Sequence, residues 1–219
     1  MTTRRFFTEE LNELQVKIDE LADDTKEVLE KAVDALYNKD IEAAQEIIDK
    51  DHIFNQKEQA INETVIILIA KQQPVASDLR RLIIAIKISA DLERMADHAK
   101  NIAKSTRHLG PDHTLSVHPA IREMAKIATE MVDIARKAYD NEDITLAREL
   151  AVKDDYIDNK YGEVTRDLLE QTANNPEQIQ HLMQMAFTSR YIERFADHIT
   201  NIGESIFYLV KGVSYDLNE

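Results

Sequence analysis

The sequence predicts an all-α protein made of two tandem three-helix bundles related by internal duplication. No segment alternates apolar and polar residues with a period of two over a useful length, so no sheet is expected. The 219 residues include only four glycines and four prolines, few enough for long uninterrupted helices. The stretch SADLERMADHAKNIAKS at 89–105 returns as SRYIERFADHITNIGES at 189–205, with nine of 17 positions identical.

The first half of the chain contains three predicted helices. Apolar residues at heptad spacing predict the first over 8–37. Asp40 is a suitable N-cap for the second, over 40–72, and Pro74 ends it. A Ser-Asp pair begins the third, which we expect over 77–108.

The second half repeats this plan with a shorter loop between its last two helices. We predict helices over 119–140, 143–173 and 176–211. The apolar seam that follows Asp40 returns 103 residues later, after Asp143, whereas the later motif returns after 100 residues. Duplicated units usually diverge by such changes in loop length.

The duplication also predicts the domain boundaries. The segment LGPDHTLSVHP contains a glycine and two prolines and is the strongest loop signal in mid-chain. We therefore assign 1–108 to the first repeat, 109–117 to a linker and 118–219 to the second repeat. Short turns join neighbouring helices within each repeat, so these helices must run antiparallel.

Charge and composition exclude several classes of function. The net charge of −14 argues against binding to nucleic acid or to anionic lipid, since both need clustered Lys and Arg. No cysteine is present, which rules out disulfides and thiolate metal sites. No apolar run has the length of a membrane span or of a signal peptide. We expect a soluble cytoplasmic protein without direct membrane insertion.

The residues kept between the two copies are mostly polar, which indicates a repeated site rather than repeated packing. Glu93, Asp97 and Asn101 are spaced by four residues and form one ridge of a helix, and Glu193 and Asp197 repeat it. Two carboxylates one turn apart repel each other unless a positive group lies between them.

The preceding helix of each repeat supplies further acids. Asp51 and Asp154 occupy seam positions, where a carboxylate is partly desolvated and needs a partner, and Asn55 and Asp158 follow one turn later. Oxygen ligands from two helices suit iron, manganese, magnesium, calcium or zinc. The candidate metal ligands are Asp51, Glu93, Asp97, Asp154, Asp158, Glu193 and Asp197.

A structural interpretation competes with the metal site. Arg94 and Arg194 lie beside the acids, and a seam aspartate paired with an arginine explains both residues. We expect His98 and His198 to be surface histidines rather than ligands. The sequence contains no Glu-x-x-His motif, no Gly-rich phosphate loop and no cysteine nucleophile, so it does not suggest an enzyme.

The repeated motifs LERMADHAKNIA and IERFADHITNIG, with AKQQPVASDLRRL at 70–82 and the FYLVKG ending, resemble the PhoU family of phosphate-signalling proteins. The resemblance covers essentially the whole chain. It implies multinuclear clusters of iron or zinc, bound by carboxylates; magnesium and manganese also suit such ligands. Asn55 departs from the family's acidic motif, so we expect the first site to bind metal more weakly or not at all.

The resemblance also implies a function. It predicts a cytoplasmic adaptor that forms a homodimer. Its partners would be the ATPase of the phosphate ABC transporter and the phosphate-sensing histidine kinase. Such an adaptor is a negative regulator of phosphate uptake and of the phosphate-starvation response. The alternative is a metal-binding carboxylate bundle with storage or hydrolytic activity.

Overall fold

The fold was obtained as a computed structural model that describes residues 2–114 and 116–217, and every regular element in these ranges is helical. The α-helices are α1 (Thr2–Asn38), α2 (Ile41–Lys50), α3 (His52–Gln72), α4 (Ser77–Leu109), α5 (Pro119–Asn141), α6 (Ile144–Asn174) and α7 (Ile179–Lys211). A single 3₁₀ turn, 176–178, leads into α7. The predicted all-α class with two repeats is confirmed.

Equivalent aspartates begin equivalent helices in the two repeats. The side chain of Asp40 accepts a hydrogen bond from the backbone N–H of Ala43 at the start of α2. The side chain of Asp143 accepts from the N–H groups of Thr145 and Leu146 at the start of α6. Each aspartate thereby satisfies a helix donor that has no partner within the helix, as predicted for Asp40.

The predicted helix over 40–72 is divided, which the sequence analysis missed. Asp51 keeps right-handed helical dihedral angles (φ −53°, ψ −36°) and lies between α2 and α3. The N–H of Phe54 donates to the carbonyl of Asp51 over 3.0 Å, an i to i+3 bond that tightens the chain locally. The second repeat has no such interruption, since α6 is continuous.

The two bundles share one hydrophobic core rather than folding around separate ones. α4 and α7 lie at the centre and make the most extensive contact between any two helices. Of the 33 residues of α4, 15 are buried, against three of the 21 in α3. Met95 of α4 and Phe195 of α7 are fully buried, as expected for core residues. The proposed domain boundaries stay a prediction.

Two equivalent histidines meet where α4 packs against α7. The rings of His98 and His198 stack with 5.5 Å between their centroids. Nδ1 of His198 lies 3.0 Å from Oδ1 of Asp91, and the equivalent contact stacks His98 on Tyr191 at 6.1 Å. Neither histidine lies on the outer surface, so the prediction of surface histidines is wrong: the shared core places their helix face inside.

Across the described residues, none of the helices has the combination of length and apolar character that a membrane span requires.

Candidate metal centre

Four acids of the second repeat meet between α6 and α7. Asp154 and Asp158 are one turn apart on α6, and Glu193 and Asp197 are one turn apart on the antiparallel α7. Ligand oxygens of Asp158, Glu193 and Asp197 all lie within 4.8 Å of one another. Asp154 lies at the buried end of this group, with 4% of its surface exposed.

Burial and mutual repulsion make these acids hard to ionise. Burial raises the pKa of Asp154 to about 7, with further contributions from Asp197 and Asp158, against a hydrogen bond with Thr200 that lowers it. Burial and the charge of Asp197 raise the pKa of Glu193 to about 7 as well. Ionising the whole group near neutral pH therefore needs a compensating positive charge.

Arginines compensate only the outer part of this group. Arg190 bonds to Oε1 of Glu193, and Nη1 of Arg194 lies 3.0 Å from Oδ2 of Asp197. Oδ1 of Asp154 and Oε2 of Glu193 are buried and lack a hydrogen-bond partner among the residues described. Buried oxygens without donors, next to further carboxylates, fit the ligand set of a hard or borderline cation. The arginine interpretation thus explains Glu193 and Asp197 in part and leaves Asp154 unexplained.

The first repeat places its acids around a lysine instead. Nζ of Lys100 lies 2.8 Å from Oδ2 of Asp51, and it also bonds to Oδ1 of Asp97. These two acids raise the pKa of Lys100, outweighing burial, which acts in the opposite direction. Burial, together with Asp97 and Asp51, raises the pKa of Glu93.

Asn55, which takes the place of Asp158, is exposed in the first repeat. Within the described ranges, only the second repeat brings three or more potential ligand atoms this close together. In each repeat the acids grouped from the sequence lie near one another. The role of Lys100 was not predicted, although the repeat contains a signal, since position 100 is Lys where position 200 is Thr. The assignment of the seven acids as metal ligands stays a prediction.

Comparison with known proteins agrees with the duplicated architecture. A family profile described as the PhoU domain matches twice, over residues 18–106 and 121–206. A phosphate-specific transport system accessory protein PhoU homolog of Clostridium acetobutylicum is 33% identical over 218 residues, 99% of this chain and 100% of the relative. The homolog of Streptococcus pneumoniae is 35% identical over 98% of this chain and 100% of its own length.

Two crystal structures share this fold over nearly its whole length. The phosphate transport system regulatory protein PhoU from Streptococcus pneumoniae superposes with a TM-score of 0.89 at 34% identity, covering 96% of this chain and 99% of that one. PhoU from Pseudomonas aeruginosa superposes with a TM-score of 0.88 at 30% identity, covering 94% of this chain and 100% of that one.

Proposed function

This chain belongs to the PhoU family, and we propose that it is a cytoplasmic accessory protein that restrains phosphate uptake and keeps the phosphate-starvation response off when phosphate is plentiful. The observation that carries the proposal is the match of both repeats, over nearly the full length, to proteins named as accessory or regulatory components of phosphate transport. Full-length coverage matters because a shared repeat alone would support only the fold.

In this proposal the protein works by binding partners and not by catalysis. Its partners are the ATPase of the phosphate ABC transporter and the cytoplasmic part of the phosphate-sensing histidine kinase. An adaptor of this kind needs separate binding faces on one rigid body. Two bundles that share a core, with central helices about 50 Å long at 1.5 Å per residue, provide such a body.

Exposed apolar side chains near the α3–α4 and α6–α7 turns support the choice of binding faces. Ile66 and Ile83 are exposed at the same level of the first hairpin, six residues from its ends. At equivalent positions of the second hairpin, Leu169 and Met183 are exposed. Large apolar side chains that are exposed at equivalent positions of both repeats are candidates for contacts with other proteins.

The metal site is a second part of the proposal. We propose that Asp154, Asp158, Glu193 and Asp197 bind iron or zinc through their carboxylates, as one mononuclear or multinuclear centre. Oδ1 of Asp154 and Oε2 of Glu193 support it, since both are buried and neither accepts a hydrogen bond from the part of the chain that the structure describes. The bound cation would neutralise the acids and hold α6 to α7, which makes its contribution structural.

The adaptor role is tested by titrating the purified kinase fragment and the transporter ATPase separately against this protein. We expect Ile66→Glu or Leu169→Glu to weaken binding to at least one partner. Gln59→Glu, which adds the same charge at an exposed position of α3, is the matched control and should leave binding unchanged. Because the chain is strongly acidic, binding should also weaken as salt rises.

Deletion of the gene in the host provides the second measurement. Phosphate-starvation genes should then be expressed in phosphate-rich medium, and the wild-type protein should restore repression. Failure to bind either partner, together with normal repression in the deletion strain, would contradict the adaptor role.

The metal proposal is tested by elemental analysis of untagged protein from cells grown with ample iron and zinc. The double variant Glu193→Ala, Asp197→Ala should lose bound metal while its circular dichroism spectrum keeps the helical signal. A wild type without metal, or a variant with unchanged metal content, would leave the arginine interpretation as the better one.

A further inference from the structure

One of the positions at which the two copies of the motif differ in charge lies directly beside the acids. Lys100 in α4 and Thr200 in α7 are separated by the same 100 residues that relate Asp97 to Asp197. Both residues point toward the acids of their own repeat. Lys100 donates a hydrogen bond to Asp51, and the hydroxyl of Thr200 donates one to Asp154. The two sites therefore share three equivalent acids, with Asn55 in place of Asp158, and only the first site has a cationic side chain at this helix position.

The ammonium of Lys100 has the surroundings of a bound cation. Its side chain is only 17% exposed, and Nζ bridges Asp51 of the α2–α3 turn and Asp97 of α4. The two carboxylates compensate the charge of this partly buried ammonium. The bridge joins the same two structural units that a metal would join, and it occupies the space between their carboxylates.

Thr200 leaves the second site without such a charge. Its side chain is fully buried and its hydroxyl also lies 3.3 Å from the carbonyl of Ala196. Arg190 and Arg194 reach Glu193 and Asp197 from the exposed side. Asp154 is more than nine-tenths buried, and its Oδ1 accepts no hydrogen bond from the described residues.

We propose that the residue at this position determines which repeat takes a cation from solution: Lys100 is the built-in counter-cation of the first site and excludes metal from it, whereas Thr200 leaves the second site open. The metal part of this inference rests on the proposed metal site. The counter-cation part rests on Lys100 alone and is tested in the presence of a chelator.

The experiment exchanges the two residues and measures bound metal and thermal stability. Lys100→Thr should allow the first repeat to bind Zn²⁺ or Mn²⁺, so that elemental analysis gives more metal per chain than in the wild type. Adding Asp51→Asn to that variant should remove the gain. Thr200→Lys should lose the wild-type metal. Lys104→Thr, on the exposed side of the same helix, is the matched control and should leave metal content unchanged.

Melting in chelator tests the counter-cation without any metal. Lys100→Met keeps most of the volume and removes the charge, so its melting temperature should fall by several degrees, because the acids of the first site then repel one another. Thr200→Lys should raise the melting temperature in chelator, because its ammonium would compensate part of the charge of the acids of the second site. Should Thr200→Lys fail to fold, Lys100→Met and Lys100→Thr still decide the question.

The outcomes separate the two parts. If the wild type binds no metal but Lys100→Met is destabilised in chelator, the proposed metal site fails and the counter-cation stands. If Lys100→Met melts like the wild type in chelator, the counter-cation is overturned. If Asp51→Asn lowers the metal content of the wild type, Lys100 does not exclude metal, and the assignment of the open site to the second repeat alone is wrong.

Discussion

At the scale of single residues, Asp51 and Asp154 show that one residue type has two different environments at equivalent positions. Asp51 is partly exposed and paired with Lys100, whereas Asp154 is buried beside three other acids. Both lie on an apolar seam, but Asp154 is the more deeply buried of the two. Its burial, together with the neighbouring carboxylates, disfavours the charged form of Asp154.

The raised pKa of Asp154 leads to a pH-dependent prediction for the metal-free protein. The pKa of Asp154 is about 7 in the folded protein, against the ordinary value of 3.8 in the unfolded chain. Between pH 3.8 and about 7 the folded protein therefore holds a proton that the unfolded chain has released. The free energy of unfolding contributed by this group is therefore present at low pH and is lost as pH rises toward and through about 7. Asp154→Asn should weaken this loss and raise the melting temperature in chelator above pH 7.

Melting in chelator between pH 5 and pH 8 measures the effect. Asp155→Asn, the exposed neighbour on α6, is the control and should follow the wild-type curve. If the melting temperature of Asp154→Asn changes with pH in parallel with that of the wild type, Asp154 is already ionised at pH 5 in the folded protein, contrary to its burial.

Residue patterns predicted which acids come together but not what neutralises them. The four-residue spacing fixes Glu193 and Asp197 to one helix ridge, and antiparallel packing then brings Asp154 and Asp158 opposite them. Lys100 was missed because a lysine has a long flexible stem, and its position on a helix does not tell whether its ammonium reaches solvent or a neighbouring acid. Only the packed arrangement of the helices decides this.

At the scale of helices, the boundaries that depend on local chemistry were predictable. Asp40 and Asp143 cap α2 and α6, and Pro74 follows the end of α3. The break at Asp51 was not predictable, since it involves neither glycine nor proline and leaves Asp51 in a helical conformation. The pairing of α4 with α7 was also missed, because apolar seams give no information about which repeat covers them.

The packing of α4 against α7 partly buries His98, and this burial leads to a prediction about stability at low pH. Burial lowers the pKa of His98 to about 4; His198, Arg194 and Arg190 act in the same direction, and Asp97 opposes them. Between pH 6.5 and about 4 the unfolded chain binds a proton that the folded chain does not, so the free energy of unfolding falls as pH drops through this range. His98→Phe keeps an aromatic ring at this position and has no group that titrates. It should therefore remove the part of the fall in the free energy of unfolding that comes from His98.

Urea unfolding at pH 7, 5.5 and 4.5 measures this difference between variant and wild type. The comparison is made between the two proteins at each pH, because the acids of the second site contribute an opposite slope over part of the same range. His108→Phe, an exposed histidine of α4, serves as the control. Equal pH slopes for wild type and His98→Phe would show that the α4–α7 contact admits a charged imidazole without cost.

At the scale of the whole molecule, the fold class followed from the duplication, but the shared core did not. Ile88, Leu92 and Met95 of the first repeat and Ile199 and Ile202 of the second line one small cavity of about 20 Å³ between the bundles. A core of this kind belongs to neither repeat alone. Its members occupy ordinary seam positions in the sequence, so the pattern could not tell an interior within one bundle from an interior between two.

The shared core predicts that the first repeat is not stable as a monomer. Expressed alone, residues 1–108 would expose the face of α4 that α7 covers in the whole protein. Burial of apolar surface is the main stabilising contribution to helical bundles, so this exposure should destabilise the isolated repeat. Because α4 and α7 are equivalent, a second copy of the first repeat offers the most similar replacement surface. We expect residues 1–108 to form a dimer through α4, and sedimentation velocity at micromolar concentration measures it.

Met95→Glu in this fragment should disrupt the dimer, because it places a charge on the fully buried seam of α4. Glu30→Ala, at an exposed position of α1, is the control and should leave the dimer intact. Adding residues 118–219 should convert the homodimer into a one-to-one complex, since the native α4–α7 contact includes the stacking of His98 on Tyr191, and α4 has an aspartate at the position equivalent to Tyr191. A helical monomer of residues 1–108 that ignores the second fragment would show instead that each repeat folds around a core of its own.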